Sequence, residues 1–176
     1  MYTSGLLRMK KAITDILKSI PALLWMAAIY LYSDAPAVRS TAQSITVTER
    51  LLNLISGFIV IDEQRRIYLT GTLEPYIRKL AHMTEYGILF FLLLIPLSSV
   101  IGAEAGRKKF TVVLASYVSC FVYACSDEFH QLFVFGRSGS FRDVLIDMAG
   151  VTVAALVYLL CLSVKTAADR KRDGNI

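Results

Sequence analysis

Between Ser126 and Asp143 the chain runs SDEFHQLFVFGRSGSFRD, which places two adjacent carboxylates, Asp127 and Glu128, close in sequence to His130, Gln131, Arg137 and Asp143. Two more polar groups recur at helical spacing. Lys79, His82, Glu85 and Tyr86 follow i, i+3, i+6 and i+7, and Asp143, Asp147 and Gly150 follow i, i+4 and i+7, so each set shares one helix face. Carboxylates crowded beside a histidine are the groups that general acid–base catalysis uses. Asp127, Glu128, His82 and Glu85 are therefore the candidate catalytic residues. Arg137 sits in the turn Gly136-Arg137-Ser138-Gly139-Ser140, where two glycines free backbone N–H groups, and with Lys79 it suits a phosphate or carboxylate. Gln131, Asp143, Asp147 and Tyr86 complete the candidate substrate-binding set. His82, Glu85, Asp127 and His130 are metal-ligand types, but neither an HExxH motif nor Cys/His spacing of the finger kind is present, so no metal and no other cofactor is expected. Ser138 and Ser140 lie nearby without the setting of a nucleophile elbow.

The elements that must position these groups are membrane helices. Hydrophobic residues make up 55% of the 176 and charged residues only 19%, and the mean hydropathy is +0.54. That balance leaves too little polar surface to solvate a soluble globule. The charged residues collect between four apolar runs, at about 17–33, 80–101, 110–135 and 144–164. We therefore expect an all-α membrane protein, a four-transmembrane-helix bundle in a single domain over 1–176. The first run is short, and with Lys10, Lys11 and Lys18 before it and Ala35-Pro36-Ala37 after it, it also fits a cleaved signal peptide. Cys120, Cys125 and Cys161 fall inside the spans and act as small apolar residues.

Arg8, Lys10, Lys11, Lys18, Arg107, Lys108, Lys109, Lys165, Arg170, Lys171 and Arg172 flank the ends that would share one side of the membrane, so both termini are expected in the cytoplasm. The basic residues flank apolar runs and are not interleaved with exposed aromatics, which favours lipid head groups over nucleic acid. A long extracytoplasmic loop, about 33–78, joins the first two spans; it is Ser/Thr-rich from Ser40 to Thr48, then amphipathic through Leu51, Leu52, Leu54, Ile55 and Phe58. It could hold a helix lying on the outer leaflet, or one packed over the outer end of the bundle.

Counting from the cytoplasmic ends, Glu85 lies 17 residues from Gly102, Asp127 17 from Phe110, and Asp147 18 from Lys165. Each separation is a rise of about 26–27 Å, so the three carboxylates reach one depth, just inside the outer boundary of a core about 30 Å thick. An ionisable group inside a membrane costs several kcal/mol unless compensated, about 2.5 to 3.5 at a helix centre on insertion scales, which makes these residues candidates for function. A bare salt-bridge network is the alternative. Against it, Glu85, Asp127, Glu128, Asp143 and Asp147 outnumber Lys79, Arg137 and Arg142.

At these residues the chain resembles the VanZ-like family of bacterial membrane proteins. The resemblance is carried by Arg78-Lys79-Leu80-Ala81-His82 through Glu85-Tyr86-Gly87, then Asp127-Glu128 with Gln131, Gly136-Arg137, Asp143 and Gly150, with Tyr32-Ser33 at the end of the first span. Asp147 stands where the family pattern usually has Asn, and Phe135 where Pro commonly precedes Gly-Arg. The resemblance implies a multi-pass protein of the bacterial plasma membrane, from a family whose namesake is associated with teicoplanin resistance, and it implies no known reaction. The expected partner is a membrane lipid or a lipid-linked cell-wall intermediate held in an outward-facing polar pocket. A non-catalytic binder of lipid or antibiotic, or a scaffold, is the alternative. A proton-coupled transporter is disfavoured because no charged path reaches the cytoplasm, although a homo-oligomer would supply more helices.

Overall fold

The structure is a computed structural model that describes residues 2–102 and 106–173. The single domain expected over 1–176 also takes in residues 1, 103–105 and 174–176, which lie outside the described residues. Five helices follow in order: α1 (Tyr2–Ser33), α2 (Ala37–Ser56), α3 (Glu63–Ile101), α4 (Gly106–Gln131) and α5 (Phe141–Asp173). Among the described residues there is no strand. The helices α1, α3, α4 and α5 are long and apolar enough to cross a membrane, and they correspond to the four expected spans. Large apolar side chains such as Leu24, Leu31, Val122 and Leu160 remain open on the outside of the bundle, a surface for hydrocarbon rather than for water.

The chain between the first two spans is largely helical. The hydroxyls of Ser44, Thr46 and Thr48 donate to carbonyls four residues back, at 3.1, 2.9 and 2.8 Å, so a Ser/Thr-rich stretch satisfies its polar atoms inside a helix. This stretch begins α2, which packs on the first half of α3 and buries Thr48, Leu52 and Glu74. Asp62 caps α3 by accepting from Arg65 N at 2.8 Å, and Gly102 ends it in the left-handed conformation at φ 68°. With 39 residues α3 is about 58 Å long, nearly twice the thickness of a bilayer core. Its first half therefore projects past the core and forms a helical hairpin with α2. The sequence pattern places the start of this helix near residue 80 because the apolar run begins there; the amphipathic turns before it become helix through packing against α2.

The core is built on α3, which contacts each of the other four helices. Tyr86, Leu89, Phe90, Val113, Cys120, Ala124, Val144 and Val151 form its centre. Polar ties fasten α1 to the bundle. The Trp25 indole donates to Glu85 O at 2.9 Å, the Tyr123 hydroxyl donates to Met26 O at 2.6 Å, and Ser99 links Asp15 and Lys18.

Helices α3 and α5 cross at close range. Gly150 presses on the backbone of Met83, and a Cβ at Gly150 would run into the Met83 carbonyl. Gly87 faces Gly150 and Ala154 across the same crossing but leaves ordinary room, since a Cβ there would sit 3.4 Å from Gly150 O. Small residues let membrane helices approach in this way. Gly150→Val should therefore force the helices apart and destabilise the fold by at least the roughly 1–3 kcal/mol typical of overpacking. Gly87→Ala should be neutral or slightly stabilising. Thermal unfolding of the two purified variants in detergent checks the contrast, and equal melting temperatures would refute it.

Candidate functional site

Four helix ends and two turns meet at one end of the bundle. The chain leaves α1 at Ser33 and enters α2 after Pro36, a residue that disfavours helix just before it. It leaves α4 at Gln131 through a tight turn to Gly136, whose φ of 76° suits glycine and where a Cβ would sit 3.3 Å from the Ala37 Cβ. Phe135 O then accepts from Ala37 N at 3.4 Å and seats this turn on the start of α2. Because α4 ends at Gln131, the expected third span is shorter at its C-terminal end by the apolar residues 132–135.

Arg137 locks the corner. Its Nε donates to Ala35 O at 2.9 Å and a terminal nitrogen donates to Tyr32 O at 3.1 Å, while the other terminal nitrogen donates to Gln131 Oε1 at 3.3 Å. Tyr32 O belongs to the last turn of α1, where carbonyls lack helical partners and a cation is favoured. Burial lowers the pKa of the guanidinium from its ordinary value and the neighbouring Asp127 raises it. It remains a cation, as arginine does in proteins.

Glu128 has a similar part. Its Oε2 accepts from Ser140 N at 2.8 Å and its Oε1 accepts from Gln131 Nε2 at 3.0 Å. Ser140 is the cap of α5, with its Oγ accepting from Arg142 N at 3.1 Å. Glu128 thus satisfies the cap residue's own N–H from a different helix, as the third residue of a capping box does within one. The approach is tight at this point as well, because Gly139 lies so near Glu128 O that a Cβ would clash.

The carboxylates expected at one depth do come together. His82 Nδ1 lies 3.8 Å from Glu85 Oε2 and 3.9 Å from Asp147 Oδ1, with Asp147 only 2% exposed. These separations exceed hydrogen-bonding distance and are the kind that a water or a ligand group bridges. Asp127, 3% exposed, accepts from Gln131 Nε2 at 3.2 Å through Oδ2, while Oδ1 has no partner. Ser33 Oγ is likewise buried and lies beside the Asp127 carboxyl without a hydrogen bond of good geometry. Among the described residues, no three His, Cys, Asp or Glu side chains are grouped so as to hold a metal ion.

Two cavities open here. A polar one of about 250 Å³ is lined by Lys79, His82, Glu128, Gln131, Arg137, Asp143 and Asp147, together with Arg78 and Ser40. A larger one of about 410 Å³ lies between α1, α2 and α3, where His82, Glu85, Asp127 and Arg137 are joined by Ser33, Arg78 and several apolar side chains. The candidate residues therefore converge on the two cavities, with one exception. Tyr86, expected to bind substrate, lines neither cavity; it is fully buried, its ring 6.1 Å from that of Tyr123. One position beyond Glu85 is a turn of about 100° around the helix, which carries Tyr86 from the cavity face to the core. His130, outside the candidate set, pairs with Asp34 at 3.2 Å and packs against the Tyr30 ring.

Sequence reasoning missed Arg78 as a site residue, although it lines both cavities. Its signal was the i, i+4 pair with Glu74, at 3.0 Å, which the Ser44 hydroxyl steadies by donating to Glu74 at 2.5 Å. Arg142, counted as a counter-charge, is exposed and lines neither cavity. Ser33 and Ser40 enter only because the α1–α2 corner folds over the site. Chemically, Arg78, Lys79 and Arg137 can hold an anion, and His82 with the free oxygen of Asp127 can accept a proton or a hydrogen bond.

Glu128→Gln should lower stability despite its near-equal size. Either Ser140 N or the Gln131 amide would then face an NH2 group, and a buried unsatisfied donor costs about 1–3 kcal/mol. Arg142→Ala should shift the melting temperature little. Parallel thermal melts in one detergent decide this, and an unperturbed Glu128→Gln would show that the clip to Ser140 contributes nothing.

Comparison with curated proteins and with solved structures gives no match. The VanZ/LLP1 family matches residues 19–162, which run from within α1 to within α5 and include every residue of the two cavities. The chain is a multi-pass membrane protein that belongs to the VanZ/LLP1 family.

Proposed function

We propose that the protein works in the bacterial plasma membrane, both termini in the cytoplasm, with the polar cavity facing outward to engage an envelope lipid or a lipid-linked cell-wall intermediate. Through that lipid it would alter sensitivity to teicoplanin. The observation that carries this reading is the set of cations, Arg78, Lys79 and Arg137, around a cavity of about 250 Å³ at the end of the bundle opposite the basic flanks. The basic residues beside the termini and between α3 and α4 favour a cytoplasmic position for that other end. Guanidinium and ammonium groups of this kind recognise phosphate.

A second reading, that the site binds without turning substrate over, is supported by the structural duties of Glu128 and Arg137. Both polar ends of Glu128 are occupied by Ser140 and Gln131, and three N–H groups of Arg137 hold the corner. Any proton transfer would fall to Asp127 and His82. The partner lipid could also be met by more than one copy of the chain in a homo-oligomer.

Lys79 makes no hydrogen bond or ion pair among the described residues, so Lys79→Gln tests ligand contact with little risk to the fold. In a teicoplanin-susceptible Gram-positive host, with membrane abundance matched by quantitative blot, the wild type should raise the inhibitory concentration and Lys79→Gln should remove at least fourfold of that effect. Asp127→Asn, nearly isosteric, separates the two readings: lost protection supports proton chemistry, and retained protection supports binding alone. If the wild type gives no protection, the teicoplanin connection fails.

A further inference from the structure

The charged side chains that line the polar cavity carry both signs and come from different elements. Arg78 and Lys79 belong to α3 and Arg137 to the turn after α4, whereas Asp143 and Asp147 belong to α5. Among the described residues, none of these lysine and arginine groups forms an ion pair with a carboxylate of the cavity. Arg78 is paired away from it, with Glu74 at 3.0 Å, and Arg137 is held by two backbone carbonyls and the Gln131 amide. Lys79 and Asp143 are both half-buried.

The helix crossing explains why the two signs face without touching. Gly150 brings α5 onto α3 at Met83; Lys79 lies one turn before Met83, and Asp143 two turns before Gly150. Beyond the crossing the helices leave a gap with cations from α3 and carboxylates from α5. Opposite charges that share a recess without pairing lose solvation and recover little Coulomb energy. An anion alone would be attracted by Lys79 and repelled by Asp143 and Asp147, and a cation alone would meet the reverse. An occupant that carries both charges matches both walls.

Lys79 and Asp143 are also the residues just before the apolar runs 80–101 and 144–164. The cavity therefore stands where the apolar helix surface ends, which is the level of phospholipid head groups. At about 250 Å³ it is smaller than the roughly 300–1,000 Å³ of pockets that bury a whole small ligand, so it has room for a head group without its chains.

We infer that the polar cavity takes the zwitterionic head group of phosphatidylethanolamine. The phosphate lies against Lys79 and Arg137, and the primary ammonium points toward Asp143, with Asp147 behind it. This rests on the lipid reading above and gives that lipid its head-group class. Arg137 spends three N–H groups on the corner, and a guanidinium has five, so it retains donors for the phosphate. A primary ammonium offers three donors to carboxylates; the trimethylammonium of phosphatidylcholine offers none, and phosphatidylglycerol brings no positive charge. The carboxylates thus select against both competitors.

Native mass spectrometry of the purified chain in detergent, with phosphatidylethanolamine, phosphatidylglycerol and phosphatidylcholine of identical acyl chains at equal concentration, reads the preference. Wild type should carry one saturable phosphatidylethanolamine adduct, favoured by about fivefold or more over either competitor. Lys79→Gln should weaken that adduct. Asp143→Asn should weaken phosphatidylethanolamine and strengthen phosphatidylglycerol, opposite changes that a damaged fold would not produce. Arg142→Ala, at an exposed neighbour that lines neither cavity, should match wild type. Equal binding of the three lipids, or a preference untouched by Asp143→Asn, would overturn the zwitterionic assignment; if Lys79→Gln still weakened the adducts, the lipid reading would stand. Adducts indifferent to Lys79→Gln would overturn both. Free phosphoethanolamine that displaced the lipid at equal concentration would make the occupant a soluble zwitterion and overturn the lipid source, whereas displacement that needs a large excess supports it.

Discussion

Where α3 crosses α5, Gly150 rests directly on the backbone of Met83, and the position of the polar site follows from that contact. Asp147 lies one turn before Gly150 on α5, and His82 is the residue before Met83 on α3. Pressing these turns together brings His82 to 3.9 Å from Asp147. A larger residue at 150 would separate the two backbones and with them the groups facing the cavity. Membrane helices gain little from burying apolar surface against each other, because lipid tails are equally apolar, so close backbone approach and hydrogen bonds must hold them. The crossing supplies the first of these, and the polar network above it supplies the second.

That network explains why so many ionisable groups are tolerated near the end of the bundle. Gln131 is its centre, donating to Asp127 and Glu128 and accepting from Arg137. Through Arg137 it reaches the last turn of α1, and through Glu128 the first residue before α5. Helix termini carry unsatisfied backbone groups, so charged side chains that end there meet partners a helix interior would not offer. Much of the charge that looks catalytic in a list of residues therefore serves to close helix ends. What remains uncommitted is narrower: Lys79, the gap around His82, and the free oxygen of Asp127.

The hairpin of α2 and the first half of α3 extends the structure beyond a plain four-helix bundle. By leaning over the α1 terminus it forms one wall of the larger cavity and places Arg78 at the boundary between charged and apolar space. Glu74 and Ser44 hold Arg78 from the side away from that boundary. The hairpin thereby sets a polar recess next to a more apolar opening between helices.

From the sequence alone the membrane character, the four spans and the common level of Glu85, Asp127 and Asp147 along the bundle could be read, because hydropathy and the rise of a helix are local properties of the chain. The inward polar faces of α3, α4 and α5 were legible for the same reason, since residues three, four and seven apart share a face wherever the helix sits. The family could also be recognised from the spacing of Lys79, His82, Glu85, Asp127, Glu128 and Arg137. Which member of a stripe lines a cavity could not: Tyr86 and Glu85 differ by one position, and only the neighbours of α3 decide that one faces the core and the other the cavity. The helical state of residues 63–79 depended on α2 as a packing partner. The division of labour among the charges, with Arg137 and Glu128 closing helix ends while Asp127 keeps an oxygen free, was decided by tertiary structure, because it depends on carbonyls and amides of distant segments that no local pattern brings together.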